Sequence, residues 1–163
     1  KDHTTTLRAF KIAKDKLDNV KLILIGYGPE LQKVKSLAKE LKLIKDIIII
    51  NKTYNPYPYM KKSDLLILTS VYEGFPNVLV ESLTIGTPVI STNANAGASE
   101  IVLNGKGGDL IKLGDYKDLA KKIINHFNSP SKLQMKTKIA KNNLFRFETK
   151  RHSKIYTNLF KKI

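Results

Sequence analysis

The chain alternates short apolar runs with longer stretches in which apolar residues recur every three or four positions. The short runs predict strands at residues 20–25, 47–50, 65–68, 89–91 and 109–111. The helical spacing predicts helices at 7–17, 31–41, 78–85, 119–127 and 133–144, with a last amphipathic stretch at 155–163. Strands that alternate with helices predict an α/β fold, a parallel sheet with helices on both faces.

Ligands of such folds bind beyond the carboxyl ends of the strands. The loops of interest are therefore 26–30, 51–59, 69–77 and 92–98. Residues 51–59 are polar and aromatic, and Pro56 and Pro58 interrupt them, which predicts a loop.

Composition narrows the classes of function. A length of 163 residues predicts one domain, and the absence of cysteine excludes disulfides, thiolate metal sites and a cysteine nucleophile. No apolar run approaches the roughly 18 residues of a membrane-spanning helix. The net charge of +15 predicts attraction to polyanionic partners, namely nucleic acid, anionic lipid or phosphate-bearing ligands, although a solvated basic surface is the explanation that we favour.

The first candidate for chemistry is Gly26-Tyr27-Gly28-Pro29, which follows a predicted strand. A dinucleotide fingerprint needs a third glycine three residues after the second, where this chain has Leu31. The pattern therefore argues against an NAD site and favours a tight turn between a strand and a helix.

The most informative stretch is 69–83, which leaves a strand, turns at Gly74 and enters a helix near Pro76. The free amides and the dipole at the start of a helix favour a phosphate. Glu81 lies among apolar neighbours, and a vicinal diol is one partner that its carboxylate could accept. The alternatives are that Glu73 merely favours the helix terminus and that Glu81 lies on a solvent face.

Glu73 and Glu81 are separated by seven residues within S-V-Y-E-G-F-P-N-V-L-V-E-S-L-T-I-G-T-P-V-I-S-T. This segment resembles the E-x7-E element of retaining glycosyltransferases with the two-domain GT-B fold, family 4 type (glycosyl transferases group 1). Upstream L-I-L-I-G-Y-G-P and downstream N-A-G-A-S-E-I-V-L-N-G-K-G-G-D-L-I extend the resemblance over most of residues 1–127. It implies a Rossmann-like, donor-binding C-terminal domain.

The resemblance assigns roles to individual positions. Glu81 matches the glutamate that binds the ribose hydroxyls, and Glu73 matches the catalytic glutamate that faces the donor sugar. Lys1 matches a lysine that grips the diphosphate, and Lys52 and Thr53 match the segment that meets the nucleobase. The turn whose backbone amides hold sugar hydroxyls and phosphate corresponds to Gly74, Phe75, Pro76, Asn77, Val78 and Leu79.

The resemblance also implies that the chain is part of a longer protein. The family pairs Lys1 with an arginine five residues earlier, behind a further strand, so residues 1–163 are expected to form a nucleotide-sugar-binding domain that is truncated at its N-terminus. Residues 146–163 are expected to cross toward an N-terminal domain of the same protein. No metal site and no cofactor are expected, because no aspartate pair suggests one and this fold class works without a divalent ion.

The implied function is transfer of a sugar from a nucleoside-diphosphate sugar, with a UDP-sugar favoured, to a hydroxyl acceptor with retention. Lipid-linked glycan or lipopolysaccharide synthesis is expected, in the cytoplasm and in peripheral contact with an anionic membrane. Transfer by this chain alone is not expected.

The alternative is a basic nucleic-acid-binding α/β module, with Tyr54, Tyr57 and Tyr59 as stacking groups. We do not expect nucleic acid as a partner, because two carboxylates would flank the phosphate-binding turn. Gly97 and Glu100 resemble a further family element beside the donor cleft, or simply a loop and a helix start. The histidines lack metal-ligand spacing and are expected to be structural: His3, His126 and His152.

Overall fold

A computed structural model describes residues 1–94 and 96–161, except for the side chains of Ala96 and His152. The described part is an α/β fold. Its strands are β1 (Leu22–Ile25), β2 (Ile47–Ile50), β3 (Leu66–Leu68), β4 (Val89–Thr92) and β5 (Asp109–Ile111). Its helices are α1 (His3–Lys14), α2 (Leu31–Glu40), α3 (Tyr57–Lys62), α4 (Asn77–Ile85), α5 (Ala96–Ile101), α6 (Tyr116–Asn128), α7 (Ser131–Lys141) and α8 (Thr149–Phe160). Short 3₁₀ turns cover Ile44–Asp46 and Leu144–Phe147.

The strands are parallel throughout, but their hydrogen bonds form two sheets, β1-β2 and β3-β4-β5. Leu22 lies opposite Ile47 in the first sheet, and Leu66 lies opposite Val89 in the second. All carboxyl ends within each sheet therefore point to one edge, the edge where ligands bind in folds of this class.

Helix α1 packs on both sheets and joins them. Its Ala9 and Ala13 belong to the same buried cluster as Ile90 of β4. Its Leu7 and Phe10 pack with Leu22 of β1. Burial of both groups of side chains supplies hydrophobic stabilisation to each sheet. One helix thus fixes how the β1-β2 pair sits against the larger sheet.

Helix α1 begins four residues before the predicted helix. The Asp2 carboxylate accepts a hydrogen bond from the Thr5 amide at 3.0 Å and caps the first turn. Thr5 and Thr6 are buried although they are polar, which hid this turn from a reading based on hydrophobic spacing.

Two segments that were predicted to be loops contain part of a helix, so both predictions were wrong in part. The end of the loop predicted at 51–59 belongs to α3, because Pro56 and Pro58 lie at the start of that helix, where no amide hydrogen is needed. The loop at 92–98 gives way to α5 at Ala96. The other predicted elements differ from the structure by a few residues at their ends.

Helix α8 forms most of the last amphipathic stretch, although Ile163 lies outside the described residues. Its apolar face is exposed and consists of Ile155, Tyr156, Leu159 and Phe160. Among the residues described, no helix is both long enough and apolar enough to cross a membrane.

Candidate functional site

The centre of the candidate site is the turn between β3 and α4. The Asn77 amide donates to the Phe75 carbonyl and the Leu79 amide donates to the Pro76 carbonyl, both at 2.9 Å. Within the described part of the chain, the amides of Gly74, Phe75 and Val78 make no hydrogen bond. Three unpaired donors at the positive end of a helix form a suitable place for an anionic oxygen.

Glu73 lies directly before this turn and is held from two sides. The Ser70 hydroxyl donates to its carboxylate at 2.6 Å, and the Lys1 ammonium forms an ion pair with the same oxygen. Burial alone raises the pKa of Glu73, but the hydrogen bonds from Lys1 and Ser70 outweigh burial and leave the pKa below its ordinary value. Glu73 is therefore an oriented carboxylate that stays ionised at neutral pH.

A buried hydroxyl network brings Lys1 to this position. The Asp2 amide donates to the Thr69 carbonyl at 3.1 Å, and the Thr69 hydroxyl donates to the Asp2 carbonyl at 2.7 Å. The Thr6 and Thr69 hydroxyls share a further bond of 2.7 Å. These bonds fasten the start of α1 to the end of β3. The sequence analysis did not assign a role to Ser70, Thr69 or Thr6. The only sequence feature that could have indicated one is that they are polar residues at the ends of a strand and a helix.

Glu81 lies on α4, four residues after Asn77 and on the same face. It is half-buried, and its neighbours Ser82 and Leu83 are fully buried. No side chain in the described ranges donates a hydrogen bond to its carboxylate. The predicted partial burial is present, and both carboxylate oxygens remain able to accept hydroxyl hydrogens.

Lys52 and Thr53 follow β2, which belongs to the other sheet. The Thr53 hydroxyl donates to the Asn55 carbonyl at 3.1 Å, and the Lys52 ammonium lies 4.9 Å from the centre of the Tyr54 ring. Across residues 1–94 and 96–161, no hydrogen bond or ion pair links either residue to Glu73. The structure thus joins Lys1 with Glu73 directly. Lys52 and Thr53 resemble Glu73 only in following the carboxyl end of a strand.

Helix α5 and the C-terminal 3₁₀ turn support the Gly74–Pro76 turn. Gly97 is buried, and a Cβ at this position would lie 2.6 Å from the Gly74 carbonyl oxygen. The Phe147 and Phe75 rings pack edge to face, with 5.2 Å between centroids. Glu100 is exposed. Gly97 therefore contributes by its lack of a side chain, which allows the close approach.

The contacts of the remaining candidate residues from the sequence analysis are those of structural residues. Gly26 has a φ of +143°, and the Leu31 amide donates to the Gly28 carbonyl at 3.2 Å, as in a tight turn. The buried His126 ring bonds to the Asp64 carbonyl, and burial lowers the pKa of His3. His152 has a side chain outside the described part. Among described residues, no three His, Cys, Asp or Glu side chains are grouped to hold a metal ion.

Comparison with known families gives one match over most of the chain. The model of the family described as glycosyl transferases group 1 matches residues 1–143. The capsular polysaccharide biosynthesis glycosyltransferase CapM of Staphylococcus aureus is 31% identical over 153 residues, which cover 91% of this chain and 38% of CapM.

A second curated relative is N-acetylgalactosamine-N,N'-diacetylbacillosaminyl-diphospho-undecaprenol 4-alpha-N-acetylgalactosaminyltransferase of Campylobacter jejuni. It is 33% identical over 119 residues, which cover 73% of this chain and 32% of that enzyme. The chain therefore spans about a third of the length of these relatives.

Solved structures share the fold. TarM of S. aureus, in a complex with fondaparinux, α-GlcNAc-glycerol and UDP, superposes with a TM-score of 0.90 at 22% identity, over 98% of this chain and 33% of TarM. HepE of Anabaena in complex with UDP gives a TM-score of 0.82 at 26% identity, over 96% of this chain and 44% of HepE.

Proposed function

The chain belongs to the glycosyl transferases group 1 family and has the fold of GT-B glycosyltransferases, and on this premise we propose that it binds the nucleoside-diphosphate sugar from which a sugar is transferred. We assign the diphosphate to the turn between β3 and α4, with its ribose on Glu81 and its sugar facing Glu73. Lys52 and Thr53, at the end of β2, would meet the base.

One observation carries the proposal: an ionised carboxylate, a lysine and unpaired amides meet at one helix start. Glu73 with its Lys1 partner lies directly before Gly74, and the amides of Gly74, Phe75 and Val78 follow. Carboxylates beside a diphosphate would repel it unless they face hydroxyl groups. A sugar and a ribose supply such hydroxyls on either side of the diphosphate, which matches the placement of Glu73 and Glu81 around the turn.

Charge at the turn also suits bond cleavage. When the bond between sugar and diphosphate breaks, negative charge grows on the leaving diphosphate. The Lys1 ammonium and the amides at the start of α4 are fixed before the reaction and would stabilise that charge. Glu73 would face the donor sugar while positive charge develops at the anomeric carbon of that sugar. We propose that the whole enzyme is a hexosyltransferase that retains the configuration at this carbon.

The finer assignments rest on the relatives. We favour a UDP-sugar because HepE is solved with UDP, and lipid-linked glycan or lipopolysaccharide precursors because the Campylobacter relative is named for a diphospho-undecaprenol acceptor. The acceptor would lie mainly on an N-terminal domain of the same protein, toward which residues 146–163 would cross. The net charge of +15 fits a cytoplasmic protein that contacts an anionic membrane peripherally.

The test is a titration of the chain with UDP, UDP-sugars and GDP-sugars. Binding is measured by calorimetry and by changes in the amide NMR signals of residues 73–81. Glu81→Gln replaces charge-assisted bonds to the ribose with weaker ones, so we expect a loss of about tenfold in UDP affinity. Glu40→Gln, at the exposed end of α2, is the matched control and should bind like wild type.

Unchanged UDP affinity in Glu81→Gln would contradict the ribose role. Signals of residues 73–81 that do not move at saturating donor would contradict the site as a whole. Binding should also be equal with EDTA and with Mg²⁺, because we propose a metal-independent site. If the chain instead binds single-stranded RNA with a steep salt dependence and binds no nucleotide, the nucleic-acid alternative replaces this proposal.

A further inference from the structure

We propose that Phe147 is a positioning residue for the donor-binding turn, although it lies in the 3₁₀ turn near the end of the chain. The inference rests on the proposed function, because the turn it acts on is the proposed diphosphate site. No sequence signal links Phe147 to that site, since it lies 72 positions after Phe75 in the chain.

The contact is a defined one between two rings. The Phe147 and Phe75 rings are 5.2 Å apart and inclined at 69°, the edge-to-face arrangement that aromatic pairs favour. Phe75 is 42% exposed, so Phe147 covers one side of a ring that solvent reaches from the other. The Phe75 amide is one of the unpaired donors, and the position of its ring therefore bears on where that amide points.

Phe147 is itself anchored to the body of the fold. The guanidinium of its neighbour Arg146 donates to the carbonyls of Glu100 and Ile101 at 2.5 and 3.2 Å. The same guanidinium lies 4.5 Å from the centre of the Phe147 ring. Phe147 also packs on the buried cluster that includes Leu79 of α4. A ring held in this way is a fixed support rather than a loose surface group.

Two elements therefore form a clamp on the turn. Gly97 of α5 lies against the Gly74 carbonyl, and Phe147 lies against the Phe75 ring. Arg146 binds the end of α5, so both supports belong to one assembly. A loop that is ordered before binding loses less conformational entropy on binding, and this is how the clamp would raise affinity for a diphosphate.

The test compares Phe147→Leu, Phe147→Tyr and the matched control Phe145→Leu in the 163-residue chain. Phe145 lies in the same 3₁₀ turn, is half exposed and packs on Arg151 instead. Leucine keeps most of the packing but removes the aromatic ring, whereas tyrosine keeps the ring. Two quantities are measured: UDP affinity, and the ¹⁵N order parameters of the Gly74 and Phe75 amides in the free chain.

We expect UDP affinity to fall by up to about tenfold in Phe147→Leu, because the worth of one edge-to-face pair is the most that its loss can remove from binding. The order parameters of Gly74 and Phe75 should fall with it. Phe147→Tyr should restore both, and Phe145→Leu should change neither.

The inference is overturned if folded Phe147→Leu matches wild type in the order parameters, or if Phe145→Leu loses as much as Phe147→Leu. Absence of saturable UDP binding in the wild type defeats the proposed function instead, and the order parameters then decide on the clamp alone.

Discussion

Gly97 offers a direct test of how closely α5 must approach the turn between β3 and α4. In Gly97→Ala the new Cβ would lie 2.6 Å from the Gly74 carbonyl oxygen, 3.3 Å from Pro76 Cδ and 3.4 Å from Phe75 Cα. Two of these three atoms belong to the backbone, so no side-chain rotation relieves the contact. The carbonyl would have to retreat by at least about 0.4 Å to reach 3.0 Å, below which such contacts are essentially never seen.

Two opposing effects set the size of the loss in stability. Overpacking of this kind costs about 1–3 kcal/mol. Replacing glycine by alanine within a helix returns up to about 1 kcal/mol, because the unfolded chain loses less entropy on folding. The net expectation is a destabilisation of about 1 kcal/mol, which lowers Tm by about 2–4 °C in a domain of this size.

The assay is thermal and urea unfolding of Gly97→Ala, together with a UDP titration. Gly28→Ala is the control for stability, because nothing lies within 4 Å of its Cβ position and its φ is outside the left-handed region. We expect Gly28→Ala to be neutral or slightly stabilising. UDP affinity should fall in Gly97→Ala as the amides of the turn move. Equal stability of the two variants with unchanged UDP affinity would refute the close-approach argument.

Acid should weaken the fold through Glu73, because the pKa of this carboxyl group is lower in the folded chain than its ordinary value of 4.5. The ionised carboxylate therefore stabilises the folded chain at pH values above 4.5, and this stabilisation is lost as the pH falls below 4.5 and through the folded pKa. Tm measured from about pH 6 to about pH 3 should therefore fall more in wild type than in Glu73→Gln, and parallel curves would contradict the ion pair. Thr69→Val leaves the buried Thr6 hydroxyl without its partner, and the Asp2 carbonyl keeps only the bond from the Thr6 amide, so we expect a loss of about 1–3 kcal/mol in urea unfolding. The exposed Thr84→Val is its control, and a Thr69→Val loss no larger than that of Thr84→Val would show that the buried network contributes nothing.

The strands and long helices were predictable because apolar spacing dominates them. All five predicted strands are present, and α4 starts one residue before its predicted start. The elements that were missed are those in which another effect overrides spacing. Helix α3 begins with prolines that suggest a break, and α5 is short and contains Gly97.

The candidate site was predictable only in part, for a related reason. The turn at Gly74 and the burial of Glu81 follow from local sequence. Three helices and three strands lie between Lys1 and Glu73 in the chain. Only the family resemblance therefore predicted that both residues belong to one site, where the structure shows them as an ion pair. The ring contact of Phe147 with Phe75 depends on how the end of the chain packs, which hydrophobic spacing does not encode.

The division of the strands into two sheets has a practical consequence for handling the chain. In the part that the structure describes, four strands have one lateral side without a hydrogen-bonded neighbour, namely β1, β2, β3 and β5, and such sides can join strands of another molecule. The charge of +15 keeps copies apart at low ionic strength, and added salt shortens the range of that repulsion. Dilute buffer is therefore the condition in which the chain is expected to stay dispersed, and concentrated salt is the condition that brings these bare sides into contact.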